Sequence, residues 1–160
     1  MYEIRPGKRS GAVKIPASKS QAHRYLICAA LSEKECLIVC DGVSADILAT
    51  INCLKGLGAG IERLEADEYS QRAVTLKCSP IKRDAKLEDL VLDCGESGST
   101  LRFMLPIVCA LGASGHFVLH GRLPERPLAP LDGELRKHGA QIELVGNELH
   151  FGGKLRAGAY

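Results

Sequence analysis

Three short stretches of this 160-residue chain set cations and hydroxyls on backbone suited to holding anions. The first is Ser18-Lys19-Ser20-Gln21-Ala22-His23-Arg24. Ser18 and Gln21 fit a capping box, so the stretch opens a helix. Lys19, Ser20 and Arg24 then lie within about one turn of its N-terminus, where a phosphate or carboxylate is favoured. The second is Asp93-Cys94-Gly95-Glu96-Ser97-Gly98-Ser99-Thr100-Leu101-Arg102. Gly95 and Gly98 allow a tight turn and a close backbone approach. Ser97, Ser99 and Thr100 can cap the helix that follows, and its free N–H groups suit an anion. The third is Gly121-Arg122-Leu123-Pro124-Glu125-Arg126-Pro127, in which two prolines stiffen a loop carrying two guanidinium groups. Each stretch also has a plain structural reading: a capped helix start, a strand-to-helix corner, and a surface loop with an Arg–Glu pair.

The elements that must position these residues follow from periodicity. Val13 to Ile15 reads as a strand ended by Pro16, after an isolated strand at Tyr2 to Ile4. Ala22, Tyr25, Leu26, Ala29 and Ala30 share one helical face over Lys19 to Ser32. Leu37 to Cys40 reads as a buried strand. Ser44 caps a helix buried through Ile47, Ile51 and Leu54 and closed by Gly58. Strands Ile61 to Leu64 and Ala73 to Lys77 follow. The pattern then recurs: strand Val91 to Asp93, helix Thr100 to Leu111, strand Phe117 to His120, helix Leu128 to Lys137 entered through Pro127, and strands Ile142 to Val145 and Glu148 to Phe151. Pro106 inside the first of these helices forfeits a hydrogen bond and predicts a kink.

Ile27-Cys28-Ala29 aligns with Val108-Cys109-Ala110, and Gly58-Ala59-Gly60-Ile61 with Gly139-Ala140-Gln141-Ile142, both at an offset of 81. The shared offset argues for a duplicated β-α-β-α-β-β unit and an α/β fold of α+β type. In such a duplication the Lys19 turn corresponds to the Gly98 turn, and the loop Asp41 to Asp46 to the loop Gly121 to Pro127.

Bulk properties exclude several function classes. The net charge of +2 and aromatic content of 4% give no footprint for nucleic acid. No apolar run is long enough to cross a membrane. With no apolar signal core at Met1 to Ser10, a cytoplasmic location is expected. The seven cysteines form no C-x-x-C pair. Cys28, Cys36, Cys53, Cys78 and Cys109 read as small core residues, while Cys94 lies in the key turn as a candidate thiol. The five histidines have no metal-ligand spacing, and there is no G-x-x-x-x-G-K-[ST]. No metal or organic cofactor is expected.

Pro16-Ala-Ser-Lys-Ser-Gln-Ala-His-Arg24, Asp93-Cys-Gly-Glu-Ser-Gly-Ser-Thr-Leu-Arg-Phe103 and Gly121-Arg-Leu-Pro-Glu-Arg-Pro-Leu128, with Leu135-Arg-Lys-His-Gly-Ala140, resemble the N-terminal portion of the enolpyruvyl transferases. The likeness covers essentially the whole chain, with its motifs in order. It implies an inside-out α/β barrel domain built of β-α-β-α-β-β units. Residues 1–16 would form a strand segment leading from an absent other domain, 17–86 a first unit and 87–160 a second, with the third unit and second domain missing. The resemblance implies that Lys19, Ser20 and Arg24 hold shikimate-3-phosphate, and that Lys19, Gly98 and Arg126 hold phosphoenolpyruvate. The family's acid and base residues would lie beyond Tyr160, so no catalytic residue is expected within the chain, which is expected to be inactive without its C-terminal portion. Ser20 favours the branch acting on shikimate-3-phosphate. The branch acting on UDP-N-acetylglucosamine, and a non-catalytic anion-binding or interaction module, remain alternatives. Glu96, Ser99 and Phe103 depart from the family pattern, and Glu96 is unfavourable beside an anion unless it turns away or pairs.

Overall fold

The computed structural model describes residues 7–8, 10–12, 18–64, 74–82 and 84–159. The expected strands Tyr2 to Ile4 and Val13 to Ile15 lie outside them. The first half contains α1 (Lys19–Ala30), β1 (Cys36–Cys40), α2 (Ala45–Gly56), β2 (Gly60–Leu64) and β3 (Val74–Ser79). The second contains β4 (Leu90–Asp93), α3 (Gly98–Leu111), β5 (Gly115–Val118), α4 (Leu131–Lys137), β6 (Ala140–Val145) and β7 (Glu148–Gly153). The helices α1 and α3 end 81 residues apart, as do α2 and α4. The strands β3 and β7 begin only 74 apart, because a nine-residue connection, 65–73, is replaced by the two-residue turn Gly146-Asn147.

The two sheets have related orders. The first runs β1-β3-β2, all antiparallel; the second runs β4-β5-β7-β6, with β4 parallel to β5 and the other pairs antiparallel. The helices pack on one another, α1 on α2 and α2 on α3, with α2 also reaching β4 and α3 reaching β7. Each sheet therefore has one face against the helices and one face open, which is the inside-out arrangement. Burial alternates accordingly along β3, β4 and the start of β6. The core is one continuous cluster centred on Leu26, Leu54, Leu57, Met104, Leu105 and Phe117, the last with its ring centroid 4.8 Å from that of Phe151.

Helix starts follow the serines. Ser18, Ser44 and Ser97 Oγ accept from the N–H groups of Gln21, Ile47 and Thr100. Gly112, at φ 69°, closes α3 in the left-handed conformation. Pro106 lies within α3, which is helical on both sides of it.

Several expectations are corrected. The apolar run at β1 is not a buried strand: Leu37 and Val39 are 66% and 67% exposed, because only one face of the sheet meets helices. On α1, Tyr25 is exposed and His23 is fully buried, so the buried face is rotated toward α2. Cys28 is exposed, and Cys36 is only half-buried. α4 begins at Leu131, not Leu128, with Pro130 as its N-cap. A proline disfavours helical backbone at the residue before it, so Ala129 stays outside the helix. The preceding segment instead forms a single 3-10 turn, Leu123–Glu125. β5 starts at Gly115, two residues earlier than expected.

Candidate anion site at the start of the third helix

The turn from β4 into α3 is held from several sides. Asp93 Oδ1 accepts from Gly95 N–H at 2.7 Å and lies 3.1 Å from His120 Nε2. Ser97, buried, caps α3. Gly98 is buried beneath two guanidinium groups: a Cβ built there would lie 2.9 Å from Arg102 Nη1 and 3.2 Å from Arg126 Nη1. The structure thus brings Gly98 and Arg126 together across 28 residues of sequence. Arg102 ties the arrangement down, donating to Gly98 O at 3.3 Å and to Pro127 O at 2.6 Å. A helix N-terminus with two cations over a residue lacking a side chain is an anion cradle.

Glu96 resolves its own conflict. Its Oε1 accepts from the Arg122 backbone N–H at 3.1 Å, so the carboxylate anchors the arginine loop. A Cβ at Gly121 would collide with that carboxylate, which gives Gly121 a reason beyond its φ of 53°. Arg122 itself points to Glu125, at 3.5 Å with both side chains exposed.

The first-half residues meet this turn through α2. Lys19 forms an ion pair with Asp46 in the first turn of α2. The Lys19 hydrogen bond holds the Asp46 carboxyl below its ordinary range, against some loss of hydration. Asp46 O accepts from Thr100 Oγ1 at 3.2 Å. Arg24 Nη1 donates to Ser20 O at 2.8 Å, and its guanidinium lies 4.9 Å from the centre of the Phe103 ring, a cation–π distance. Phe103, one departure from the family pattern, is thus the resting platform of Arg24. Ser20 is exposed at the helix start.

Sequence reasoning missed the polar chain beneath the site. His23 Nδ1 lies 2.7 Å from Thr50 Oγ1, which lies 2.8 Å from Thr100 Oγ1, which lies 2.8 Å from Ser97 Oγ. His23, Thr50, Ser97 and Thr100 are all buried, so the chain pins the starts of α1 and α3 to the middle of α2. Burial pushes the His23 pKa down, and its Nε2 has no hydrogen-bond partner among the described residues. Asp46 and Thr50 carried no local signal, since their partners lie 27 residues or more away. Cys94 is not a reactive thiol: its contact with Cys53, 3.9 Å away, and its burial both raise its pKa.

Helices inside and sheets outside are the arrangement of an enolpyruvyl-transferase domain. A family model described as EPSP synthase (3-phosphoshikimate 1-carboxyvinyltransferase) matches residues 4–155, and the chain belongs to that family. It is 45% identical over 127 residues to a 3-phosphoshikimate 1-carboxyvinyltransferase of Clostridium botulinum, covering 79% of this chain and 28% of the relative. It is 39% identical over 160 residues to that of Clostridium beijerinckii, covering 99% and 36%. The EPSP synthase structure from Acinetobacter baumannii shares the fold at a TM-score of 0.69 with 22% identity, covering 94% of this chain and 34% of that one. The chain therefore spans about a third of the length of the relatives it matches.

Proposed function

We propose that this chain supplies one wall of an enolpyruvyl-transfer site, and that the protein it belongs to moves the enolpyruvyl group of phosphoenolpyruvate to the 5-hydroxyl of shikimate-3-phosphate. The observation that carries this is the Arg126 guanidinium beside Gly98 at the start of α3. In this reading the phosphate of phosphoenolpyruvate lies over Gly98, held by Arg126 and by Lys19. Lys19, Ser20 and Arg24 hold shikimate-3-phosphate, with Lys19 leaving Asp46 and Arg24 leaving Phe103 as the anions enter. Residues 17–86 and 87–160 act as two copies of one structural unit, the first giving side-chain cations and the second the backbone cradle.

The reaction is addition followed by elimination. A proton goes to C3 of phosphoenolpyruvate, the 5-hydroxyl oxygen bonds to C2 and loses its proton, and C2 then releases inorganic phosphate as a C3 proton departs. Fixed cations around both substrates position them and stabilise their negative charge throughout. No acid or base is assigned to these 160 residues. The family match favours the shikimate branch over the UDP-N-acetylglucosamine branch. No helix among the described residues is long and apolar enough to cross a membrane, and seven free thiols fit a reducing, cytoplasmic setting.

Calorimetric titration of the chain with shikimate-3-phosphate, phosphoenolpyruvate, UDP-N-acetylglucosamine and inorganic phosphate tests the reading. Shikimate-3-phosphate is expected to bind more tightly than the other three, with binding lost in Lys19→Ala and Arg24→Ala. Preference for the nucleotide sugar would move the protein to the other branch. Equal, weak binding of all four would leave a generic anion site.

A further inference from the structure

We propose a second site, on the outward face of the second sheet: His116, His150 and Glu148 bind one divalent transition-metal ion of the zinc class. Their linear spacing shows nothing, because the site is made by strand pairing. His116 of β5 and His150 of β7 are register partners, with ring centroids 5.3 Å apart and planes at 37°. Glu148 precedes His150 by two residues and so shares its face of β7. Its Oε2 lies 3.2 Å from His150 Nε2.

One ligand atom from each of the three side chains lies within 4.8 Å of the others. A tetrahedral zinc centre with bonds of about 2.0–2.1 Å needs ligand atoms roughly 3.3 Å apart. The Glu148–His150 edge already has that length. Closing the other edges falls to the His116 ring, which is only part-buried and makes no hydrogen bond among the described residues. Two imidazoles with one carboxylate favour zinc, nickel or copper over calcium or magnesium, which take oxygen ligands. Three protein ligands leave a position for water or an exchangeable group. Glu143, the register partner of His150 on β6, adds negative charge to the same face. Arg136 also borders the open depression in front of this sheet, but its guanidinium donates to Asp132 and to Ile142 O.

The site is separate from the Gly98 cradle and does not depend on the enolpyruvyl reading. The test is titration of the reduced chain with Zn²⁺ by calorimetry and with Co²⁺ by visible absorption. One ion per chain is expected, with a cobalt spectrum free of thiolate charge-transfer bands. The double variant His116→Gln/His150→Gln is expected to lose at least tenfold in affinity, and Glu148→Gln several-fold. Absence of binding, unchanged affinity in the double variant, or a thiolate spectrum would overturn the proposal. Should the double variant lose its native circular dichroism, modification of the parent chain by diethyl pyrocarbonate decides. Zinc must then protect His116 and His150 while the exposed His120 stays reactive, and equal reactivity with and without zinc overturns the site.

Discussion

From their first helix onward the two halves have the same order of elements, and they differ in what they place at their helix starts. At the start of α1 the groups we propose for ligand binding are side chains, Lys19, Ser20 and Arg24, and the two cations are already engaged, by Asp46 and by Ser20 O and Phe103. At the start of α3 the side chain is removed at Gly98, and the cation arrives from a loop 28 residues later. One half thus offers side-chain charge and the other a backbone surface with an arginine above it. The two helix starts are joined through Asp46, Thr50 and Thr100, so the side-chain cations and the glycine turn belong to one wall of the proposed site.

Packing differs between the halves too, and this gives the largest expected effect. Phe117 in β5 is fully buried against Phe151, while the inward-facing Ile38 in β1 is only half-buried. Urea unfolding should show Phe117→Ala losing about 3–5 kcal/mol. Ile38→Ala should lose clearly less, and an equal loss would mean that the first half is packed as tightly as the second.

Next comes the cradle. Arg126→Ala should weaken phosphoenolpyruvate binding by roughly 10- to 100-fold, as expected for a charged hydrogen-bond partner worth about 1.5–3 kcal/mol. Calorimetry would show it, and unchanged affinity would remove Arg126 from the site. Gly98→Ala should cut the same affinity by about tenfold, a cost of about 1.4 kcal/mol, since 1.36 kcal/mol is one decade. Its melting temperature should move little, because the added methyl meets the ends of two arginine side chains and a leucine methyl, not backbone. A large stability loss with intact binding would show that Gly98 serves the fold alone.

Two smaller effects are read from pH. Burial lowers the His23 pKa, so the unfolded chain takes up a proton more readily than the folded one. Stability is therefore full above the ordinary histidine range, about 6.5, and falls as the pH drops below it. The slope of melting temperature between about pH 7 and 5 should flatten in His23→Gln; an unaltered slope would show that this histidine is not the group responsible. Asp46 behaves as a depressed carboxyl, so its contribution is present above its unfolded pKa of about 3.9 and is lost as the pH falls through the lower folded value. The Lys19 pair is partly exposed, so the effect is small. Asp46→Asn should shallow the acid limb of the stability curve, and an acid limb like the parent's would place the charge coupling elsewhere.

Much of the fold was legible in local chemistry. Ser18, Ser44 and the hydroxyls from Ser97 to Thr100 marked helix starts, and the offset of 81 between equivalent segments exposed the duplication. These are properties of neighbouring residues, and short-range hydrogen bonds and φ preferences decide them. The glycines and hydroxyls of the Gly98 turn and the guanidinium groups of the Arg126 loop were legible for the same reason.

Pairing between distant segments was not legible. Nothing local says that Lys19 meets Asp46, that His23 turns inward to Thr50 while Tyr25 faces out, or that Glu96 holds the Arg122 N–H. The apolar run at β1 could not report that one side of its sheet stays open. The histidines of β5 and β7 became neighbours only when a two-residue turn set the register of β6 against β7, and β7 paired with β5. The sequence by itself determined which groups were available and near which serines α1, α2 and α3 begin. Tertiary packing determined which groups face one another, because desolvation and register depend on elements that meet only once the chain has folded.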